Sequence, residues 1–315
     1  MSKKRTEEVK VIAESPKRRP YASKISLILG EGLEYGFDGE ACLLIDTNYI
    51  VRVRPEKEKI NEKGKVLQKL TATIEGFDTA GKAEQMGLKL SLALLWTAVS
   101  KKWNLKLDYH TPQPCMVFDR TQSTRGLRIT GHATIHVRSS ASKVSELINE
   151  VLSKEMEFNP KLLISMELFA SARLESTERA KFIGLVSALE PLAVQESYDN
   201  EDVDNLISSF ISKINEAKTI PENIRSSLIG RASSLSSESI SQAIARFVGK
   251  YFPENTKIIK SVKEAYDIRS SILHEGTFDA DLDEKGKFLE DVIRHIYSQI
   301  LGLNLLFPVD INKMV

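Results

Sequence analysis

The sequence predicts two folded parts of different class, an α+β domain followed by an all-α helical bundle. Between residues 24 and 140, apolar and polar residues mostly alternate with period two, which is typical of half-buried antiparallel strands. One segment within that region, from Thr79 to about Trp103, is rich in Ala, Leu, Met and Lys and is expected to be a single long helix. After about residue 142 the alternation stops and helical periodicity replaces it. The first part is therefore an antiparallel sheet with one helix packed on it, and the second part is a helical bundle.

Strand patterns dominate the first part and are separated by turn-forming residues. The clearest alternation lies at 51–54, 70–75 and 128–138, where one face is apolar and the other is charged or hydroxylated. Clusters of turn-forming residues predict loops at 36–41 and 111–127. We expect these strands to form one antiparallel sheet.

Eight helices are expected in the remaining sequence, with prolines near two of their boundaries. Pro221 and Pro253 stand where a helix begins or has ended, positions at which proline costs least. The predicted helices are 142–155, 161–174, 177–194, 200–217, 222–232, 238–249, 256–274 and 284–303.

These patterns divide the 315 residues into three parts. We predict a basic flexible arm at 1–22, an α+β domain of unassigned role at 23–155, and a helical domain at 156–315. Residues 1–20 carry seven Lys or Arg and three Glu, which gives a side-chain charge of +4. The arm is either a solvated terminus or a segment that adds sequence-independent affinity for nucleic acid.

The composition is that of an ordinary globular protein, with 42% hydrophobic and 28% charged residues. The longest apolar run, 88–99, is too short to span a bilayer, and no charged-then-apolar leader opens the sequence. Cys42 and Cys115 are far apart and lack a Cys-x-x-Cys partner, which favours reduced thiols over a zinc site. No Gly-rich phosphate loop is present. We therefore expect a cytoplasmic protein that uses no membrane anchor, metal or cofactor.

The candidate site is the end of the helix predicted at 256–274. Arg269 falls on the apolar stripe of this helix, where its permanent charge requires an anionic partner or a wet cleft. His274 follows near the helix end, and Gly276 is a plausible stop. A fixed cation near a group that titrates around neutrality is suited to phosphate chemistry.

The run from Tyr266 to Gly276 resembles the signature of HEPN domains, an arginine followed a few residues later by a histidine. It is most similar to the Apea-like branch, through Tyr266-Asp267-x-Arg269 and the following His274-x-Gly276. A second block, 182–190, ends in Ala-Leu-Glu and is similar to an earlier helix of that family. The resemblance covers roughly residues 160–305, the C-terminal half only.

The resemblance implies a metal-independent endoribonuclease that acts on RNA as a homodimer, in antiviral defence or in a toxin–antitoxin system, with a regulatory protein as a possible further partner. His274 would be general base or acid, and Arg269 would stabilise charge on the phosphate. The supporting residues are Glu190, which would pair with Arg269, Asp267, which could orient a histidine across a dimer, and Ser270 and Tyr266, which flank the arginine. The alternative is a non-catalytic HEPN module for dimerisation and for binding nucleotide or RNA, in which Arg269 is scaffold and His274 caps the helix.

Helix geometry sets a condition on this site. Five residues turn an α-helix by about 500°. The side chains of Arg269 and His274 therefore point about 140° apart around the axis of a straight helix. Either the helix ends or kinks before His274, or two copies combine to form one composite site, which is the reading we prefer. Pro191, directly after Glu190, is expected to end or bend the helix that carries this carboxylate.

A second candidate surface lies on the predicted sheet. It is either plain solvated surface or a basic platform for RNA. Its residues are Arg52, Arg54, Arg128, His132, His136 and Arg138. The two histidines stand about 13 Å apart along an extended strand, which is too far to share a metal ion.

Overall fold

The structure is a computed structural model that describes residues 19–30, 41–46, 49–62, 65–121, 141–276 and 280–310. The chain forms two compact units, residues 1–158 and 159–315. The first unit contains an antiparallel sheet with the long helix α1, and the second consists of helices. The predicted fold class is confirmed.

The sheet of the first unit has six strands within the described residues, in the order β2-β3-β4-β1-β5, with β6 also paired to β1. Its strands are β1 (Tyr21–Leu29), β2 (Ala41–Asp46), β3 (Tyr49–Glu62), β4 (Lys65–Phe77), β5 (Leu105–Leu107) and β6 (Cys115–Asp119). Each pairing is antiparallel, as the period-two alternation predicts.

One loop prediction for this unit is wrong. Residues 115–119 lie within the segment 111–127 that was expected to be a loop, yet they form β6 and pair with β1, Cys115 opposite Ile25. The run is too short to show a period, and its pairing with a buried neighbour decides its conformation. The strand predicted at 128–138 lies outside the described residues.

The long helix α1 (Ala80–Lys101) packs against the sheet and against α2 (Ala141–Ser153), and α2 also contacts β2. Thr79 caps its start by accepting a hydrogen bond from the amide of Lys82, as a threonine at that position is suited to do. The helix crosses β1 at Gly87, where an added Cβ would lie 2.1 Å from the Ser23 Oγ. Packing against both the sheet and α2 explains why every residue from 90 to 101 is buried.

The second unit contains seven helices among the described residues. They are α3 (Pro160–Ala172), α4 (Glu178–Leu189), α5 (Glu201–Glu216), α6 (Glu222–Ser233), α7 (Ile240–Gly249), α8 (Thr256–His274) and α9 (Leu282–Leu301). Short 3-10 turns follow α4 at Glu190–Leu192 and α6 at Ser234–Ser236. The helices agree closely with the predicted ones because most begin at a side-chain cap, such as Asn159, Thr177 and Asn200, while α6 follows Pro221.

The core of the second unit lies between α3, α4 and α9. Phe169 of α3 meets the buried ring of Tyr297 of α9 edge to face, with ring centroids 5.7 Å apart. The hydroxyl groups of Tyr297 and Ser165 lie 2.8 Å apart, and Ser165 donates a hydrogen bond to the carbonyl oxygen of Ala188 on α4. This core holds α4 in place, and α4 in turn contacts α8, the helix that carries the candidate site.

Candidate functional site

Helix α8 presents both residues of the arginine–histidine motif. Asn255 caps its start by accepting a hydrogen bond from the amide of Ile258 at 3.1 Å. The helix then runs without interruption to His274, and Gly276 follows in the left-handed region with φ +73°. The predicted stop is therefore confirmed. The apolar stripe of α8 is buried, at Ile258, Val262, Ala265 and Ile272.

The side chain of Arg269 extends from this stripe to the C-terminal end of α4. Its Nη2 atom lies 3.3 Å from Oε1 of Glu190 and 3.5 Å from Oγ of Ser187. Its guanidinium carbon is 5.8 Å from the ring centre of Tyr266, within the range of a cation–π contact. The Arg269 side chain is 20% exposed. The ion pair expected between Arg269 and Glu190 is present.

The donors of Arg269 are only partly used. Both of its polar contacts are made by Nη2, and its Nε is buried without a hydrogen-bond partner among the described residues. A guanidinium carries five N–H donors in a planar fork. Because the side chain is 20% exposed, the guanidinium can bind a further anionic ligand through a donor other than the buried Nε, without first losing Glu190.

Glu190 reaches Arg269 because α4 stops one residue earlier. The helix ends at Leu189, and Glu190 opens a 3-10 turn with Pro191 as its second residue. Proline cannot donate the amide hydrogen bond that a continuing helix requires. The end predicted at Pro191 is thus observed, and it places the carboxylate beside α8.

His274 lies apart from this cluster. It is exposed, and it is the last residue of α8. Since the helix is continuous from Arg269 to His274, the two side chains leave it about 140° apart. The first of the two solutions considered from sequence, a helix that ends before His274, is not what the structure has. One chain alone does not direct both side chains at one ligand.

The supporting residues divide between these two places. Tyr266 lies beside Arg269, and its pKa is raised, first by burial and next by the negative charge of Glu190. Asp267 is exposed and lies seven residues before His274, on the same face of α8. Ser270 is half-buried. Sequence reasoning missed Ser187, which precedes Glu190 by three residues and hence lies on the same side of α4.

The second candidate surface is balanced in charge where the structure describes it. Arg52 of β3 lies 3.4 Å from Glu75, and Arg120 binds the same carboxylate at 2.9 Å. Arg54 is exposed two residues further along β3, on the same face as Arg52. Lys69 on this face binds Asp108. The described part is therefore an ion-paired face rather than a purely basic one.

Four residues of the predicted basic platform lie outside the described residues. They are Arg128, His132, His136 and Arg138. Among the residues that are described, no group of three or more His, Cys, Asp or Glu could hold a metal ion. Cys115 is buried beneath α1, where burial raises the pKa of its thiol and disfavours the reactive thiolate.

Comparisons with known proteins leave the site to be interpreted from its own chemistry. No family model, curated protein or solved structure matches the chain. None of the helices in the described ranges has both the length and the apolar character needed to cross a membrane. The site thus consists of a partly used guanidinium held between α4 and α8, and an exposed imidazole on another face of α8.

Proposed function

We propose that the chain is a HEPN-type, metal-independent endoribonuclease whose site is completed by two copies. The observation that carries this proposal is the partly exposed guanidinium of Arg269: both of its polar contacts are made by Nη2, and the side chain remains 20% exposed. A phosphate group offers several acceptor oxygens to such a fork. The guanidinium would bind the scissile phosphate and stabilise the negative charge that develops on it.

His274 supplies the proton chemistry from the second copy. A two-fold axis beside α8 brings His274 of one chain to Arg269 of the other, which removes the 140° conflict within a single helix. The ribose 2′-oxygen attacks the adjacent phosphorus as its proton passes to His274, and the bond from phosphorus to the 5′-oxygen breaks as that oxygen takes a proton from water. The products are a cyclic phosphate and a 5′-hydroxyl end. Asp267, two helical turns from His274 on its own chain, would orient the histidine of the other chain.

This activity suits an RNA-targeting effector in the cytoplasm, in antiviral defence or a toxin–antitoxin system. The first unit would then recognise the trigger, the RNA or a regulatory protein. If the first unit binds RNA, the exposed Arg54 on the sheet would contribute to that binding.

The experiment that tests the proposal is incubation of the purified protein with total RNA in the presence of a metal chelator. We expect cleavage products with cyclic phosphate and 5′-hydroxyl ends. His274→Ala and Arg269→Ala should each abolish cleavage, whereas His110→Ala, which removes another exposed histidine, should leave it intact. Cleavage that survives both of the first two substitutions would contradict the assignment.

A mixing experiment tests the composite site directly. Neither His274→Ala nor Arg269→Ala has an intact site, but a heterodimer of the two regains one, formed by the intact Arg269 and His274 of different chains. After random exchange of subunits half of the dimers are mixed, so about a quarter of the wild-type activity should return. A mixture that stays inactive would show that both residues must come from the same chain.

The second candidate function is a non-catalytic HEPN module for dimerisation and for binding nucleotide or RNA. The observation that favours it is the Arg269–Glu190 ion pair, which links the end of α4 to α8. Under this reading Arg269→Ala lowers the stability of the second unit, and no cleavage appears at any salt concentration. RNA binding measured by fluorescence anisotropy would then persist in His274→Ala.

A further inference from the structure

Helix α5 has an apolar face with little to cover it. Helices in proteins gain most of their stability by burying one face, yet Ile214 is the only buried residue of α5. Leu206 is 72% exposed and Phe210 is 51% exposed. Among the described elements, α5 packs against α6 and the 3-10 turn 234–236. These contacts leave an exposed apolar strip, defined by Leu206 and Phe210.

Two opposite charges flank this strip at its two ends. Leu206 and Phe210 lie one turn apart and about 40° from each other around the helix. Asp202 and Lys213 are both exposed, and eleven residues of an α-helix bring them within about 20° of each other around the axis. They therefore lie on the same flank of the strip, one before it and the other after it.

We propose that this strip binds the same strip of a second copy in antiparallel orientation, about a two-fold axis that crosses the strip at the height of Ser208. The axis places Leu206 of one chain opposite Phe210 of the other. Lys213 lies five residues after the axis and Asp202 six before it, so their heights differ by one helical rise, about 1.5 Å. The two-fold keeps both residues on one flank, so each Lys213 meets Asp202 of the other copy.

The charges of α5 favour a second copy over other occupants. The helix carries Glu201, Asp202, Asp204 and Glu216 against Lys213 alone, which is a net charge of −3. Such a surface repels the phosphates of RNA and the headgroups of anionic membranes, and it repels a second α5 except where Lys213 faces Asp202. Glu216 lies about 100° around the helix from the strip and so stays outside the interface. Only an antiparallel arrangement of identical strips sets the lysine against the acid.

The pairing is tested by a charge swap in the full chain, with mass measured by sedimentation velocity. We expect the wild type to associate, and Lys213→Glu or Asp202→Lys each to raise the dissociation constant by at least about tenfold. The double variant D202K/K213E should restore association, because the same pair is rebuilt with its charges reversed. Phe210→Ser should weaken association without any change of charge.

Asp204→Lys is the matched control. It makes the same charge change in the same first turn of α5, but its side chain lies about 140° from the strip, so association should not change. Circular dichroism confirms for each variant that the helices remain folded. A wild type that is monomeric at tens of micromolar, an Asp204→Lys variant as impaired as Asp202→Lys, or a charge swap that fails to restore association would overturn the proposal. The result does not depend on whether the chain cleaves RNA.

Discussion

The contact between Arg269 and Glu190 gives the sharpest test of what the site is for. The perturbation is Glu190→Gln, which keeps the shape of the side chain and removes its charge. The contact is one donor atom at 3.3 Å, between side chains that are 20% and 31% exposed. Exposed ion pairs contribute about 0.2–1 kcal/mol, while breaking a fully buried pair costs about 3–5 kcal/mol. With one contact and solvent screening on both sides, we expect a coupling energy of about 1 kcal/mol.

The assay is a double-mutant cycle in urea, followed by the loss of helical circular dichroism. The four proteins are the wild type, Glu190→Gln, Arg269→Met and the double variant; methionine keeps the aliphatic bulk of the arginine. A coupling energy near 1 kcal/mol is expected for a pair that joins α4 to α8. A coupling of zero would refute the reasoning, since the pair would then contribute nothing to the packing of these helices.

The same variants separate a catalytic Arg269 from a structural one. If Arg269 binds the scissile phosphate, the negative charge of Glu190 beside the guanidinium repels that phosphate, so Glu190→Gln should retain cleavage and lower KM. Arg269→Met should reduce cleavage by about 10²–10³-fold, as removal of a charge-stabilising donor does. If the pair is purely structural, both variants lose stability by similar amounts and neither protein cleaves RNA.

Three further predictions concern stability, and each is read from an unfolding curve. Gly87→Ala should destabilise the first unit by about 1–3 kcal/mol, because its new Cβ would overlap Ser23, whereas Gly81→Ala in the same helix meets no atom within 4 Å and should be tolerated. Burial raises the pKa of Tyr297, so as pH rises the unfolded chain loses the hydroxyl proton of this tyrosine before the folded chain does. The free energy of unfolding should therefore fall as pH rises above about 10, and less so in Tyr297→Phe. Burial lowers the pKa of His295, so stability should be lost as pH falls below about 6.5, and His295→Gln should reduce that loss.

The fold was largely predictable because its elements are long and carry their own end signals. The predicted helix at 256–274 coincides with α8, since Asn255 caps its start and Gly276 follows its end. Helix α1 was expected to reach about Trp103 but ends at Lys101, where Lys102 adopts φ 55°. Strand β6 was missed because five residues carry too little periodicity, and its pairing with β1 is a tertiary effect.

The site was predictable in part, for a related reason. Arg269 stood out because a charge on an apolar stripe must be neutralised, and Glu190 was expected to be its partner. Ser187 carried no such signal, since a serine costs little wherever it points. The unused donors of the guanidinium also lie beyond sequence reasoning, because they depend on the distance and angle at which α4 meets α8.

The continuity of α8 makes the proposed chemistry depend on the association of two chains. A single helix cannot direct Arg269 and His274 at one phosphate, so any chemistry that uses both requires a second α8. Pairing through α5 alone would not supply it unless the same two-fold axis also passed beside α8. The two experiments therefore answer different questions: the charge swap at Asp202 and Lys213 reports on the α5 contact, and the return of activity on mixing reports on the α8 contact. If D202K/K213E restores association while neither the wild type nor the mixture of His274→Ala and Arg269→Ala cleaves RNA, α5 holds the copies together and α8 serves as a binding scaffold.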